Sequence, residues 1–342
     1  MKCARCFAPE DIRIVDSPDP RPEDDEVLVA VRAVSICPSD HHIYRDGHSS
    51  GVVPDHPMIL GHEFSGVVAA LGARASGPAV GTRVAVEPAW HCGECDLCKR
   101  GLTNICRHVV FPSYPNRDGA LAEYIACPAH AVYTIPENVG FVEAALAEPL
   151  GVAVHAVRHA RIGPGDRVAI LGAGTIGIAI LELAKLSNVD ATFIVEPNAA
   201  RHELALKLGA TKAYADVEDL IEEFGGTADC ANVAFDVSNA QDSFADAVEV
   251  CEPAGRIIVI TIPPEDYCEF TASSARRKEL AIQFSRRSRN AIEEALSLIS
   301  TGKVRAPEWP RAEFSLDTTA DAFRCSVDPP GGVLRAVVLV NA

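Results

Sequence analysis

The sequence lacks any surplus of basic residues, since 31 Lys and Arg face 47 Asp and Glu and leave a formal net charge of −16. Nucleic acids and anionic membrane surfaces are bound by basic faces, so we expect neither as a partner. An apolar run of the roughly 18–20 residues that a membrane span needs is also missing. No charged-then-apolar leader follows Met1, and we therefore expect a cytoplasmic protein.

The overall composition and length are typical of a globular protein. Hydrophobic residues make up 48% and charged residues 23%, which is ordinary for globular proteins. The 342 residues exceed the roughly 250–300 at which a single core stops growing, which predicts about two domains. Twelve cysteines without a secretion signal indicate thiols that serve metals or cores in a reducing compartment.

Four of those cysteines, Cys92, Cys95, Cys98 and Cys106, lie within fifteen residues. Two gaps of two residues and one of seven let a single loop present four thiolates to one point. A tetrahedral, all-sulfur site with every position filled by protein is typical of structural zinc. The alternatives are disulfides or four unrelated core cysteines, and the regular spacing in a polar loop favours zinc.

The pattern of apolar and turn-forming residues changes near the middle of the chain. Residues 27–135 contain short Val- and Ala-rich runs between Pro, Gly and Asp clusters, which predicts β-structure. From Val142 onward helix-like segments alternate with apolar strands such as 193–196 and 255–263. This alternation predicts a parallel sheet covered by helices.

A glycine fingerprint opens the alternating part. Gly172, Gly174 and Gly177 follow an apolar strand and open a helix that includes Thr175 and Ile176. The first glycine permits a tight turn, the second lets backbone approach a pyrophosphate, and the third lets helix pack on strand. The helix N-terminus would then face the phosphates, which predicts a dinucleotide site. A plain strand-to-helix turn is the alternative.

Glu196 ends the next strand, 24 residues after Gly172. A carboxylate there accepts hydrogen bonds from the adenosine ribose hydroxyls and repels a 2′-phosphate, which predicts NAD rather than NADP. Arg201 lies close enough in sequence to weaken this preference. A solvated strand end is the alternative for Glu196.

Further potential metal ligands lie at Cys37, at the Gly61-His62-Glu63 triplet and at Glu148. A thiolate, an imidazole and a carboxylate would make a mixed zinc site that leaves one position open, as catalytic zinc ions require. Each residue alone is more often a core or surface residue than a ligand. Their occurrence together with the four-cysteine loop and the glycine fingerprint favours a second zinc ion.

Taken in order, these motifs resemble the zinc-dependent medium-chain dehydrogenase family along essentially the whole chain. The position matching the third zinc ligand is Glu148 rather than Cys, which is similar to the polyol (sorbitol/iditol-type) branch. The resemblance implies an α/β fold in which a GroES-like, β-rich catalytic domain is joined to a Rossmann domain with a doubly wound parallel sheet. The implied boundaries are 1–150 for the catalytic domain with its zinc lobe near 88–107, 151–286 for the NAD-binding domain, and 287–342 for a return to the catalytic domain.

The implied activity is reversible hydride transfer between NAD and a secondary alcohol of a polyol or sugar acid. An L-threonine or vicinal-diol dehydrogenase is an alternative, and a non-catalytic nucleotide- or zinc-binding homologue is a remote one. Two zinc ions per chain are implied, one structural and one catalytic. The catalytic ion would be held by Cys37 and His62, with Glu63 and Glu148 as ligands or near-ligands.

The resemblance also implies roles for neighbouring residues. Ser39, the nicotinamide ribose hydroxyl and His42 would relay a proton to solvent, and Asp40 would orient a ligating imidazole. Arg335 would contact the cofactor pyrophosphate.

The family usually ends the third strand of its NAD-binding domain with an acidic-Cys-Thr/Ser-Gly pattern, and this chain has residues 232–235 at that place instead. Arg286 or Arg287 is a separate candidate for a residue of the substrate cleft. The family implies a homodimer or homotetramer, with the apolar segment 257–263 as a candidate interface.

Overall fold

The computed structural model describes residues 1–48, 53–54, 57–114, 117–226, 229–263 and 267–341. Two compact units divide the chain, one made of residues 1–151 with 288–342 and the other of residues 152–287. The strands, numbered along the chain, are β1 (Lys2–Ala8), β2 (Asp11–Asp16), β3 (Glu26–Ser35), β4 (Met58–Ile59), β5 (Glu63–Leu71), β6 (Arg83–Val86), β7 (Tyr124–Pro128), β8 (Val132–Thr134), β9 (Arg167–Leu171), β10 (Ala191–Val195), β11 (Lys212–Tyr214), β12 (Ala231–Asp236), β13 (Cys251–Val259), β14 (Ala281–Phe284), β15 (Arg311–Ser315) and β16 (Arg335–Leu339).

The helices are short in the first unit and longer in the second. They are α1 (Pro38–His41), α2 (Asp96–Lys99), α3 (Phe141–Ala145), α4 (Ala147–Ala160), α5 (Thr175–Leu186), α6 (Ala199–Leu208), α7 (Val217–Glu223), α8 (Ser243–Val250), α9 (Ala272–Lys278), α10 (Ile292–Ser300) and α11 (Thr319–Val327). None of the helices in the described ranges is both long and apolar enough to cross a membrane.

The first unit is mainly antiparallel. A seven-stranded sheet has the order β15-β16-β3-β5-β6-β8, with β7 also paired to β3, and a smaller sheet has the order β2-β1-β4. Along β3 every second side chain is buried, and Val27, Val29 and Val31 are fully inaccessible. This period of two packs one face of the sheet onto the core.

The second unit is a parallel sheet with the strand order β11-β10-β9-β12-β13-β14. Counted from β9, the first strand of this unit, the order is 3-2-1-4-5-6, which is the doubly wound Rossmann order. Its central strand β9 is buried along Val168–Leu171, as a strand covered by helices on both faces must be. The predicted α/β class, with a β-rich part and a Rossmann part, is confirmed.

The prediction that residues 257–263 pair across an interface is wrong for residues 257–259 and stays a prediction for residues 260–263. The strand part of that segment belongs to β13, which is hydrogen-bonded to β12 on one side and to β14 on the other. Strand β14 is the sheet edge, and Phe284 at its end is 67% exposed. Apolar composition identified a central strand here because central parallel strands are the most apolar in a sheet.

Candidate functional site

The four-cysteine loop brings its sulfurs to distances that suit one metal ion. The separations are 3.5 Å for Cys92–Cys106, 3.8 Å for Cys95–Cys106 and 4.0 Å for Cys92–Cys98. Four sulfurs at about 2.3 Å from a tetrahedral zinc ion lie about 3.8 Å apart, so the cluster fits that ion. The loop bends because α2 spans only four residues and a 3₁₀ turn follows at Thr103–Ile105.

Backbone amides prepare some of these thiols for a metal. N–H groups of Glu94 and Cys95 lower the pKa of Cys92, and those of Cys98 and Arg107 lower the pKa of Cys95 to about 6. Desolvation and the neighbouring thiols raise the pKa of Cys98 to about 12. A bound cation would offset the cost of ionising Cys98, because it favours the thiolate at all four positions.

A second cluster joins Cys37, His62 and Glu63, whose ligand atoms all lie within 4.8 Å of one another. Cys37 follows the end of β3 and caps α1, while His62 immediately precedes β5. The two segments meet because Ser35 pairs with Glu63 across β3 and β5. Gly61 has φ +91°, and a Cβ there would approach Val34 to 2.7 Å, so the turn into His62 requires glycine.

The donor set of this cluster fits a catalytic zinc ion. Glu63 is fully buried, and its Oε1 accepts a hydrogen bond of 3.1 Å from Arg335 Nη2. Its other oxygen, Oε2, is buried and has no hydrogen-bond partner among the described residues. Because an unpaired buried carboxylate oxygen is costly, its presence beside a thiol and an imidazole indicates a cation site.

His62 is oriented by Asp40. Its Nδ1 lies 3.4 Å from Asp40 Oδ1, and both side chains are buried. Burial opposes ionisation of Asp40, but His62 outweighs it and lowers the pKa of that carboxyl. Among the described residues Nδ1 has no hydrogen-bond partner, so Asp40 acts on the ring through its charge.

Glu148 lies near this cluster but outside it. It is buried at the start of α4 and does not belong to the group of ligand atoms within 4.8 Å. Burial and then the neighbouring Glu63 carboxylate raise the pKa of Glu148 to about 8. Its role as a zinc ligand stays a prediction, and so does the cofactor contact of Arg335, whose guanidinium is buried on Glu63.

The predicted relay residues lie beside Cys37. Ser39 is half-buried on α1, and His42 begins a π-helical turn, His42–Asp46, directly after it. His42 is 25% exposed, and its Nδ1 lies 3.4 Å from Asp46 Oδ2. A half-exposed imidazole next to a buried cluster is suitably placed to exchange protons with solvent.

In the second unit the glycine fingerprint takes the predicted geometry. Gly172 has φ +109°, and a Cβ on Gly177 would come within 1.9 Å of Gly172 O. A Cβ on Gly174 would meet nothing within 4 Å, so this glycine borders open space at the N-terminus of α5. Thr175 and Ile176 are the first helical residues, whose N–H groups face that space.

Glu196 follows β10 and turns back toward this loop. Its Oε2 accepts the Ala173 N–H at 2.9 Å, and its Oε1 accepts the Asn198 N–H at 3.1 Å. Arg201 Nη1 lies 3.7 Å from Oε2. The carboxylate therefore lies on the glycine loop, with a cation beside it.

One residue was missed because the strand end was placed too early. Strand β12 continues to Asp236, so the expected acidic position is Asp236, followed by Val237 and Ser238 rather than residues 232–235. The pattern departs only at the Cys and Gly positions. Burial raises the pKa of Asp236 to about 6, and Ser243 Oγ donates to its Oδ1 at 2.8 Å. The polar residue ending an apolar run would have identified the true end.

Similarity to known proteins assigns the family. The profile of the alcohol dehydrogenase GroES-like domain matches residues 23–137, and that of zinc-binding dehydrogenases matches residues 175–301. Sorbitol dehydrogenase of Bacillus subtilis (strain 168) is 31% identical over 349 residues, covering 100% of this chain and 98% of its own. The chain belongs to the zinc-dependent medium-chain dehydrogenase family.

Other members of the family support the same assignment. A probable D-xylulose reductase A of Aspergillus fumigatus is 34% identical, covering 92% of this chain and 90% of its own. The crystal structure of an alcohol dehydrogenase from E. coli CFT073, complexed with NADH, superposes with a TM-score of 0.90 at 28% identity and covers 99% of each chain. The predicted family and its polyol branch are confirmed.

Proposed function

We propose that this dehydrogenase transfers a hydride reversibly between NAD and a secondary alcohol of a polyol or sugar acid. The catalytic part would comprise residues 1–150 with 287–342, and the NAD-binding part residues 151–286. The cluster of Cys37, His62 and Glu63 is the observation that supports this proposal best, because its thiolate, imidazole and carboxylate donors match a catalytic zinc ion. Relatives named sorbitol dehydrogenase and D-xylulose reductase support the polyol class.

The residues of the chain divide the chemistry between them. Bound zinc would act as a Lewis acid that lowers the pKa of the substrate hydroxyl. Cys37 and His62 hold that ion, with Glu63 or Glu148 as the oxygen donor. Asp40 fixes the ring of His62 through its contact at Nδ1. As the hydroxyl ionises, Ser39 Oγ would accept its proton while passing its own proton onward along the relay to His42, which would release a proton to solvent.

NAD is the preferred cofactor in this proposal. Glu196 is held by the Ala173 and Asn198 amides beside the glycine loop, where its charge opposes a 2′-phosphate. Arg201, 3.7 Å from Glu196, limits the discrimination. We expect kcat/KM to favour NAD in the wild type and to shift toward NADP in Glu196→Ser, which leaves Arg201 unopposed. A wild type that uses NADP at least as well would contradict the cofactor assignment.

A substrate panel tests the function itself. NADH formation should be followed over polyols, aldonates, vicinal diols and L-threonine, with zinc content measured on the same sample. We expect turnover with polyols or aldonates and two zinc ions per chain. Turnover confined to threonine or diols would favour the alternative enzyme class, and no turnover by zinc-loaded protein would contradict an enzymatic role.

We also propose that the protein is a cytoplasmic homodimer or homotetramer. Within the described part of the chain, strand β14 is the outermost strand of the parallel sheet, and Phe284 at its end is exposed. Two copies of such an edge can pair and so protect each other. Phe284→Lys should lower the mass measured by light scattering, and an unchanged mass would place the interface elsewhere.

A further inference from the structure

Ser113 occupies a position that serine does not favour. It follows the four-cysteine loop, is buried to 5% exposure, and has φ +64°. L-residues with side chains rarely adopt this left-handed conformation, and glycine is the residue best suited to it. Backbone preference does not explain a serine at this position, so we ask what its hydroxyl contacts.

That hydroxyl bridges two segments of the proposed metal site. Ser113 Oγ donates a hydrogen bond to Asp40 Oδ1 and accepts one of 3.0 Å from the Gly61 N–H. Gly61 immediately precedes His62, and Asp40 Oδ1 is the atom that lies 3.4 Å from His62 Nδ1. The same hydroxyl therefore constrains both the backbone that leads into His62 and the carboxylate that faces its ring.

The carboxylate of Asp40 is fixed at both of its oxygens. Its Oδ2 accepts the Cys37 N–H at 3.4 Å, while its Oδ1 is shared by Ser113 and His62. Without Ser113, Oδ1 would keep only the longer contact to His62, and the Gly61 N–H would lose its acceptor. Neither group is near bulk solvent, so water could not easily replace the hydroxyl.

We propose that Ser113 is a positioning residue, one that acts on the metal through Asp40 and His62 without touching it. The inference rests on the proposed function, since it concerns the zinc ion that Cys37 and His62 would hold. Removing a residue that orients a ligand typically costs about 10–100-fold in metal affinity or activity. Ser113 contacts Asp40 rather than the ligand His62 itself, so we expect a loss of metal affinity near the lower end of that range.

The experiment measures zinc transfer to the chromogenic chelator pyridylazoresorcinol. Cys37→Ser, which keeps only the four-cysteine ion, identifies the kinetic phase that belongs to the Cys37 site. Ser113→Ala and Ser113→Gly should release that zinc about 10-fold faster than wild type and lower kcat, with the KM for NAD unchanged. Ser65→Ala is the matched control, because Ser65 is also buried but donates to Phe141 O.

Ser113→Gly separates positioning from folding. Glycine relieves the positive φ that alanine must keep, so Ser113→Gly should melt above Ser113→Ala and still release zinc as fast as Ser113→Ala. Wild-type release rates in both Ser113 variants, or in Ser113→Gly alone, would overturn the inference while leaving the proposed function intact. A wild type that carries only the four-cysteine zinc would instead overturn the proposed site and this inference together.

Discussion

The two metal-ligand clusters formed by the described residues are built in opposite ways. All four cysteines of the first lie on one loop of fifteen residues, and Cys92 at its start is exposed. The second joins Cys37 to His62 and Glu63, which are 25 residues or more away and almost fully buried. A local chelate needs only its loop, whereas the second cluster exists only when β3 and β5 pair in register. The first is suited to support structure and the second to chemistry.

The difference in burial has electrostatic consequences. Around the second cluster Asp40, Glu63 and Glu148 are all buried. Arg335 lies on Glu63, and in spite of burial Asp40 and Cys37 raise the pKa of His62. Such a surplus of buried acid destabilises the metal-free fold unless protons or a cation neutralise it. In the four-cysteine loop this cost is smaller, because backbone amides donate to the sulfurs of Cys92 and Cys106 and Cys92 is exposed.

Cys37→Ser should separate the clusters most clearly. Without the thiolate ligand the site should lose the zinc ion that activates the substrate. Zinc stabilises the transition state by several kcal/mol, so its loss should lower kcat/KM about 10³-fold or more. Zinc content should fall from two ions to one per chain. Full activity with one zinc would show that the second cluster is not catalytic.

The pH dependence of stability in chelated, metal-free protein is the next test. The pKa of Glu148 is raised to about 8 from 4.5, so the folded state holds a proton that the unfolded chain releases earlier. Stability contributed by the neutral acid is complete below about pH 4.5 and is lost as the pH rises toward 8. Glu148→Gln should remove this dependence.

Urea unfolding at pH 5, 6.5 and 8 provides the measurement. Wild type should lose up to about 4 kcal/mol relative to Glu148→Gln over this interval, at about 1.4 kcal/mol per unit of pKa shift. The exposed Glu137 offers the control variant Glu137→Gln, which should follow wild type. Parallel pH profiles for wild type and Glu148→Gln would contradict the assignment of a buried, protonated Glu148.

His42→Gln should slow the reaction without touching either ion. Loss of a positioned proton carrier typically costs about 10²-fold or more in turnover. Zinc content should stay at two per chain. The neighbouring His41, whose Nε2 bonds Ser326 Oγ at 2.7 Å, gives the matched variant His41→Gln with a smaller effect. Equal losses in both variants would remove His42 from the relay.

Cys95→Ser should have the smallest effect on chemistry. The four-cysteine ion is lost and the melting temperature falls, because a structural zinc site contributes folding energy. At a temperature where the variant is folded, kcat should stay within a few-fold of wild type. A loss as large as that of Cys37→Ser would mean that the two clusters are not independent.

Local patterns accounted for much of this molecule. The fold class was indicated by patterns among neighbouring residues: the cysteine spacing, the glycine fingerprint, and the change from strand-rich sequence to alternating strands and helices. Contacts between distant segments were not accessible in the same way. The pairing of Arg335 with Glu63 joins residues 272 positions apart, and the hydrogen bond from Ser113 to Asp40 spans 73. Both depend on tertiary contacts between distant segments, which no single motif specifies.

The carboxylates show the same limit. Sequence offered Glu63 and Glu148 equally, and only the packing around β5 and α4 places Glu63 with Cys37 and His62. The end of β12 was misplaced for a related reason, since Asp236 is buried by tertiary contacts although its residue type favours turns.

The most direct measurement is anomalous diffraction at the zinc edge on crystals of zinc-loaded protein. Two peaks per chain are predicted, one among Cys92, Cys95, Cys98 and Cys106, and one in contact with Cys37 Sγ and His62. A single peak at the four-cysteine loop, in crystals of protein that oxidises its substrate, would contradict the account.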